Sequence, residues 1–229
     1  MTETDPNMTE AVNILHKEKI FFWIGQGSLL GIYRDKKLIE WDHDIDICVW
    51  KHENNKSNMI KIMEKYGFKF QESPEGRENN DSITFKKKGG RLVDINFYEK
   101  GKNKDGHSIA FCKWVLPKNK IMKLIDAVSN ADKYDSKFKF IVNKLILLRP
   151  MAILFKKFFI EKNFFYKFAG YQLPLNLLEN FKTINFCNIE ISTPLYTERY
   201  LEYLYGKEWK TPKKNFAWWK LDNIKTSFD

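Results

Sequence analysis

Asp44 and Asp46 stand two residues apart in the stretch Asp44-Ile45-Asp46-Ile47, and Asp42 stands two residues before them. In an extended strand, residues two apart point to one face, so Asp44 and Asp46 share a face while Ile45 and Ile47 take the core. Crowded carboxylates raise each other's proton affinity and are costly unless they hold a cation. Hard oxygen donors without His or Cys partners suit Mg2+ or Mn2+. Asp94, in the apolar frame Leu92-Val93-Asp94-Ile95, offers a third carboxylate from a neighbouring strand. Together the three supply metal ligands and a base for an acceptor hydroxyl. Upstream, Gly27-Ser28 ends an apolar run and opens a short helix, a turn whose N–H groups and hydroxyl suit a phosphate. Arg34, about one helical turn further on, offers a guanidinium to neutralise phosphate charge. Asp42 shares the parity of the pair and either joins the metal shell or orients its water. His43 has the opposite parity and is expected to face solvent.

These residues need elements to hold them. A helix is expected from a cap at Thr9 to about Lys19, and Phe21 to Ile24 reads as a buried strand. A short helix is expected over Leu29 to Tyr33, and the alternation from Asp44 to Trp50 is a strand signal. Lys56 to Tyr66 reads as a helix, with Gly67 just past its end. Phe68 to Gln71 suggests a strand and residues 72–81 a polar loop. Ser82 to Lys87 and Arg91 to Tyr98 read as a hairpin around Gly89-Gly90. Phe111 to Leu116 suggests one more strand, and residues 118–168 a helical stretch broken at Pro150. Strands interleaved with helices predict an α/β or α+β class.

The 229 residues fit one medium domain, and 43% hydrophobic with 16% aromatic content is ample for a packed core, which excludes a disordered chain. The net charge of +10 and pI near 9.3 favour anionic partners: nucleotide phosphates, nucleic acid or an acidic membrane surface; a generally Lys-rich surface would read the same. Cys48, Cys112 and Cys187 lie too far apart for zinc or redox spacing and are expected to be free thiols. The N-terminal stretch is polar and acidic, unlike a signal peptide. No stretch approaches the roughly 20 apolar residues of a spanning helix. A cytoplasmic protein is expected. Residues 131–170 carry nine Lys or Arg against three Asp or Glu, interleaved with Phe and Leu. They read either as a basic amphipathic pair on the inner face of an anionic membrane or as an ordinary pair with a solvated lysine face.

The order strand, Gly-Ser, short helix, Asp-h-Asp-h, then a further h-Asp-h strand (h apolar) resembles the nucleotidyltransferase fold of the polymerase β superfamily. A narrower resemblance rests on the same residues. The stretch from Gly25 to Ile47 is similar to the signature of the LicD and fukutin-related family, matching at Gly27, Ser28, Leu29, Leu30, Gly31, Arg34, Ile39, Trp41, Asp42, Asp44 and Asp46. Glu40 stands where that pattern has proline, and His43 where it often has a further Asp. Near the C-terminus, Pro194, Tyr200, Leu201, Tyr205, Gly206, Trp209 and Pro212 match a second family segment, whose aromatics are expected to anchor it to the core.

The resemblance implies an α+β fold: a nucleotidyltransferase-type mixed β-sheet flanked by helices, with a C-terminal segment packed on the core. Residues 1–229 would form one such domain, with 118–170 as a basic, aromatic helical insertion. It further implies a transferase that moves a phospho-alcohol, such as phosphocholine or an alditol phosphate, from a CDP-linked donor to a hydroxyl of a cell-surface glycan. CMP would leave. Asp44, Asp46 and Asp94 would hold Mg2+ or Mn2+, with Asp94 as ligand or base. Gly27, Ser28 and Arg34 would hold phosphate oxygens, with Asp42 beside them, and Trp41 is expected to pack under the loop. The acceptor would be a glycan, of a kind that is often lipid-linked in that family. Two rivals stand beside this reading: nucleotidyl transfer from an NTP with release of pyrophosphate, and a basic nucleic-acid-binding module with a decayed site. The intact aspartate set argues against the latter.

Overall fold

A computed structural model describes residues 4–72, 80–131, 139–214 and 224–225. The chain falls into two compact units: Met1–Glu72, Asp81–Lys113 and Gly170–Lys225 form the first, and Ser73–Asn80, Trp114–Ala169 and Thr226–Asp229 the second. The expected polar loop at 72–81 lies mostly outside the described residues.

In the first unit, α1 (Pro6–Lys17) is capped not by Thr9 but by Asp5, whose carboxylate accepts from the Asn7 and Met8 amides. Asp followed by Pro is a strong helix start, because proline occupies the first turn, where its missing N–H costs nothing. Then come β1 (Trp23–Ile24), α2 (Gln26–Asp35), β2 (Asp44–Trp50), α3 (Lys56–Lys65) and β3 (Lys69–Gln71). β4 (Ser82–Lys86), β5 (Leu92–Lys102) and β6 (Ser108–Pro117) follow. After the second unit's helices come β7 (Tyr166–Pro174), β8 (Phe181–Phe186), β9 (Ile189–Pro194), α7 (Thr197–Tyr205) and β10 (Ile224–Lys225).

The class is α+β with a mixed sheet flanked by helices, as expected. Among the described residues, eight strands form one sheet in the order β1-β2-β5-β6-β7-β10, with β4 on β5 and β3 on β4; β8 and β9 pair separately. β2 and β5 are parallel, and the other registered pairs are antiparallel. β5 is longer than its sequence suggested: its first half borders β2 and β4, and its end turns back through Asn103–His107 into β6. The Asn103 side chain organises that turn by accepting from the Asp105 and His107 amides. The core beneath β2 and β5 holds Ile45, Ile47, Val93, Ile95 and Phe97, all fully buried.

The C-terminal segment packs on the first unit's core. α7 buries Tyr200, Leu201 and Leu204, and the Trp209 ring lies 6.0 Å from that of Tyr33 on α2.

The second unit contains α4 (Lys120–Ser129), α5 (Lys139–Lys144) and α6 (Arg149–Glu161). Pro150 opens α6 instead of breaking a longer helix, for the same first-turn reason as Pro6. The expected helix to residue 168 gives way to β7 from Tyr166, an aromatic-rich stretch better suited to a strand than a helix. The unit's small core is Ala127, Val128, Ala131, Val142 and Ala152.

Candidate active site

The register of β2 on β5 builds the site. Asp46 lies beside Asp94, and Asp44 beside Leu92. Partners in a parallel register point to the same face, so Asp44, Asp46 and Asp94 share one face while the isoleucines and Val93 fill the other. Asp46 is buried, Asp44 half-buried.

The N-terminus of α2 meets this face. The Gly27 amide donates to Asp46 Oδ2 at 3.0 Å and the Ser28 amide to the same oxygen at 3.4 Å. In return the Asp46 amide donates to Ser28 Oγ at 2.8 Å. The first-turn N–H groups of a helix favour an anion, and here the anion they hold is Asp46. Gly27 and Ser28, expected to cradle a phosphate, are engaged in positioning a carboxylate. Gly27 lets the Asp42 carboxylate come close: a Cβ there would lie 2.5 Å from Asp42 Oδ2 and displace it. Gly31 serves the same end one turn later. A Cβ would lie 2.7 Å from the Lys37 carbonyl oxygen, so the chain returning toward Asp42 packs directly on the helix backbone.

Asp42 does not lie in β2. It sits in the turn before the strand, its amide donating to the Ile39 carbonyl at 3.2 Å. Its carboxyl still reaches the cluster, hydrogen-bonding the Asp44 side chain. Burial and Asp44 push it up to about 7, against the pull of the His43 amide and Arg91. Asp46 is pushed well above the usual carboxylate range by burial and by Asp44, Asp94 and Asp42, with the Ser28 amide pulling the other way. Asp94 is pushed up to about 6 by burial and Asp44, while a Thr84 hydrogen bond holds it down. Asp94 Oδ1 is buried without a hydrogen-bond partner among the described residues.

The sequence reading missed Thr84 and Arg91. A two-residue turn at Gly89-Gly90 would have set Thr84 opposite Ile95, on the wrong face; the actual register sets it opposite Asp94. Arg91 is tied to the Ile39 carbonyl at 2.9 Å and lies 3.9 Å from Asp5, and it is the cation whose charge Asp42 feels.

Arg34 is not brought to the carboxylates. Its guanidinium makes a bidentate pair with Asp35, at 2.8 and 2.7 Å, and donates to the Trp209 carbonyl at 3.3 Å. That ties α2 to the C-terminal segment and positions the helix whose other end holds Asp46. Tyr200 adds a second tie, its hydroxyl accepting from the Gln26 amide at 3.4 Å. His43 is exposed, as its parity required. Trp41, expected beneath the loop, is 37% exposed.

Four carboxyls raised or crowded in one place, with one buried oxygen unpartnered, fit a divalent cation in donor chemistry. Among the described residues, no group of three or more His, Cys, Asp or Glu side chains already stands in metal-ligand geometry. The fit is therefore one of donor type and charge.

A protein-family model described as LicD/FKTN/FKRP, nucleotidyltransferase domain, matches residues 19–174. No curated protein matches the chain. Among solved structures, the chain is similar to a crystal structure of the lincosamide antibiotic adenylyltransferase LnuA, lincomycin-bound. The identity is 12% and the TM-score 0.38, over 84% of this chain and 82% of that one. A likeness that distant carries no argument about chemistry.

Proposed function

The chain belongs to the LicD/FKTN/FKRP nucleotidyltransferase-domain family, whose model matches well over half of its length, and on that premise we propose that it is a metal-dependent phosphotransferase. It moves a phospho-alcohol from a CDP-linked donor to a hydroxyl of a cell-surface glycan. The observation that carries this reading is the register that sets Asp46 beside Asp94 on parallel strands, with Asp44 on the same face and the N-terminus of α2 against them.

Asp44, Asp46 and Asp94 would hold Mg2+ or Mn2+. When bound, the ion supplies charge neutralisation to the diphosphate. Gly27, Ser28 and the α2 dipole hold one oxygen of Asp46 and fix its orientation. Asp94, with its carboxyl at about 6, is ionised at neutral pH and accepts the acceptor's hydroxyl proton. The hydroxyl oxygen bonds to the phosphorus that carries the alcohol, and the bond from that phosphorus to CMP breaks, CMP keeping the electron pair. Most of the catalytic work is alignment and charge neutralisation, as in phosphoryl transfer generally.

The test is a donor screen. CDP-choline, CDP-ribitol, CDP-glycerol, CDP-ethanolamine and the four NTPs are each incubated with the protein and Mg2+ or Mn2+. Metal-dependent release of CMP from one CDP-alcohol is expected. Release of pyrophosphate from NTPs alone would replace the proposal with nucleotidyl transfer.

A further inference from the structure

The second unit is built inside out. Its core cluster is three alanines and two valines, while most of its large apolar side chains are outside. Of the seventeen large hydrophobic side chains exposed among the described residues, thirteen belong to this unit. α6 shows the inversion within one helix. Ala152 and Lys156, four residues apart, are its buried side chains, and Lys156 is only 1% exposed. Met151, Leu154, Phe155 and Phe158, at helical spacing, point outward; Leu154 is 69% exposed. Leu147, in the turn leading into α6, is 88% exposed. An ordinary amphipathic pair on a domain would bury this stripe and expose the lysine.

The charge around the stripe is one-sided. The described residues 114–131 and 139–169 contain ten Lys or Arg and two Asp or Glu, a balance of +8 against +10 for the whole chain. One of the two acids, Asp126, is buried against Lys156. Lys123, Lys144, Lys157 and Lys162 are exposed. Among the described residues no helix is long and apolar enough to cross a membrane. An apolar helix face bordered by lysines and too short to span is the pattern of a helix lying in a bilayer interface.

We propose that the outward face of α6 and the turn before it seats this protein on an anionic lipid bilayer, with Leu147, Leu154, Phe155 and Phe158 in the acyl boundary and the flanking lysines on lipid phosphates. The charge decides the occupant: a second copy of this chain would bring the same excess of lysine to the contact, whereas an anionic bilayer answers it. The inference does not depend on the transferase reading, since its readout involves no catalysis.

Vesicle co-sedimentation of the full chain tests it. Vesicles of phosphatidylcholine with phosphatidylglycerol at about 3:1 should bind the protein, and vesicles of phosphatidylcholine alone should bind it weakly. Phe155→Glu with Phe158→Glu should lower the bound fraction about tenfold while leaving the circular dichroism spectrum and Tm unchanged. Lys157→Glu with Lys162→Glu should weaken binding most at low salt. Leu195→Glu, an exposed apolar site in the first unit, should leave binding intact. Should the folded wild type ignore anionic vesicles, or the Phe155/Phe158 variant bind them equally, the proposal fails. It fails equally if sedimentation shows a dimer that this variant breaks while neither protein binds lipid.

Discussion

Asp126 in the second unit and Asp46 in the first are both buried carboxylates, and the fold treats them in opposite ways. Asp126 has the Lys156 ammonium at 3.1 Å and accepts from the Tyr166 hydroxyl at 2.9 Å and the Asn130 amide at 3.2 Å. The charges that face Asp46 are the carboxylates of Asp44, Asp94 and Asp42, set against two backbone amides. A buried charge that serves only the fold must be paired internally, because removing it from water costs several kcal/mol. Crowded carboxylates without an internal cation are the arrangement that the proposed function assigns to an ion from outside. The comparison separates a structural carboxylate from one kept for a ligand, on the neighbours alone.

The largest effect should come from removing the unpaired site's charge. Asp46→Asn and Asp94→Asn should each lower transfer activity by about 10³-fold or more, the cost of losing a group that works on charge developing in the transition state. Both should keep the native circular dichroism spectrum. Activity near wild type in either variant would end the assignment.

Breaking the paired site should cost stability instead. Lys156→Met leaves Asp126 buried without its cation and should destabilise the protein by about 3–5 kcal/mol in urea titrations. Asp126→Asn combined with Lys156→Met should recover part of that loss, since no net charge then remains buried.

Added Mn2+ or Mg2+ sharpens the contrast. At an ion concentration about 100 times Kd, the wild type should gain about 2.7 kcal/mol of stability, visible as a rise in Tm. Asp46→Asn should show little or no rise, and Lys156→Met should show the wild-type increment.

The last effect, bounded only from above, is a pH dependence. The Asp94 carboxyl, at about 6 in the folded chain, stands above its ordinary 3.8, so the folded state holds this proton longer than the unfolded state does. Its ionisation therefore opposes folding: the penalty is absent below about pH 4, grows between, and is complete above about pH 6. Metal-free Asp94→Asn should be more stable than metal-free wild type at pH 8, by at most about 3 kcal/mol. The two should converge at pH 4. A difference that widened on acidification would reverse the sign and refute the electrostatic account.

Much of the site was legible before folding was considered. Alternation placed Asp44 and Asp46 on one face, and a second apolar frame singled out Asp94, because period-2 patterning reports which side of a strand is buried. Thr84 was not legible, since its partnership with Asp94 depends on a hairpin register that one residue of turn length would flip. Asp42 shares the parity of the pair but lies in the turn before the strand, and parity does not say by which path its carboxyl reaches the cluster. Arg34 had the right chemistry for a phosphate, but Asp35 beside it and the Trp209 carbonyl claim its donors, and the second of those partners is 175 residues away.

The sequence by itself determined the donor set, three carboxylates in apolar frames with a Gly-Ser turn upstream, because residue type and local period are properties of short segments. It also determined an excess of lysine and phenylalanine between residues 131 and 170. Only the tertiary structure decided that Asp46 and Asp94 are neighbours, that the α2 amides hold Asp46, and that α6 turns Lys156 inward and Phe155 and Phe158 outward. Each of these turns on which distant segments meet, and a period along one segment identifies a face without naming what the face will touch.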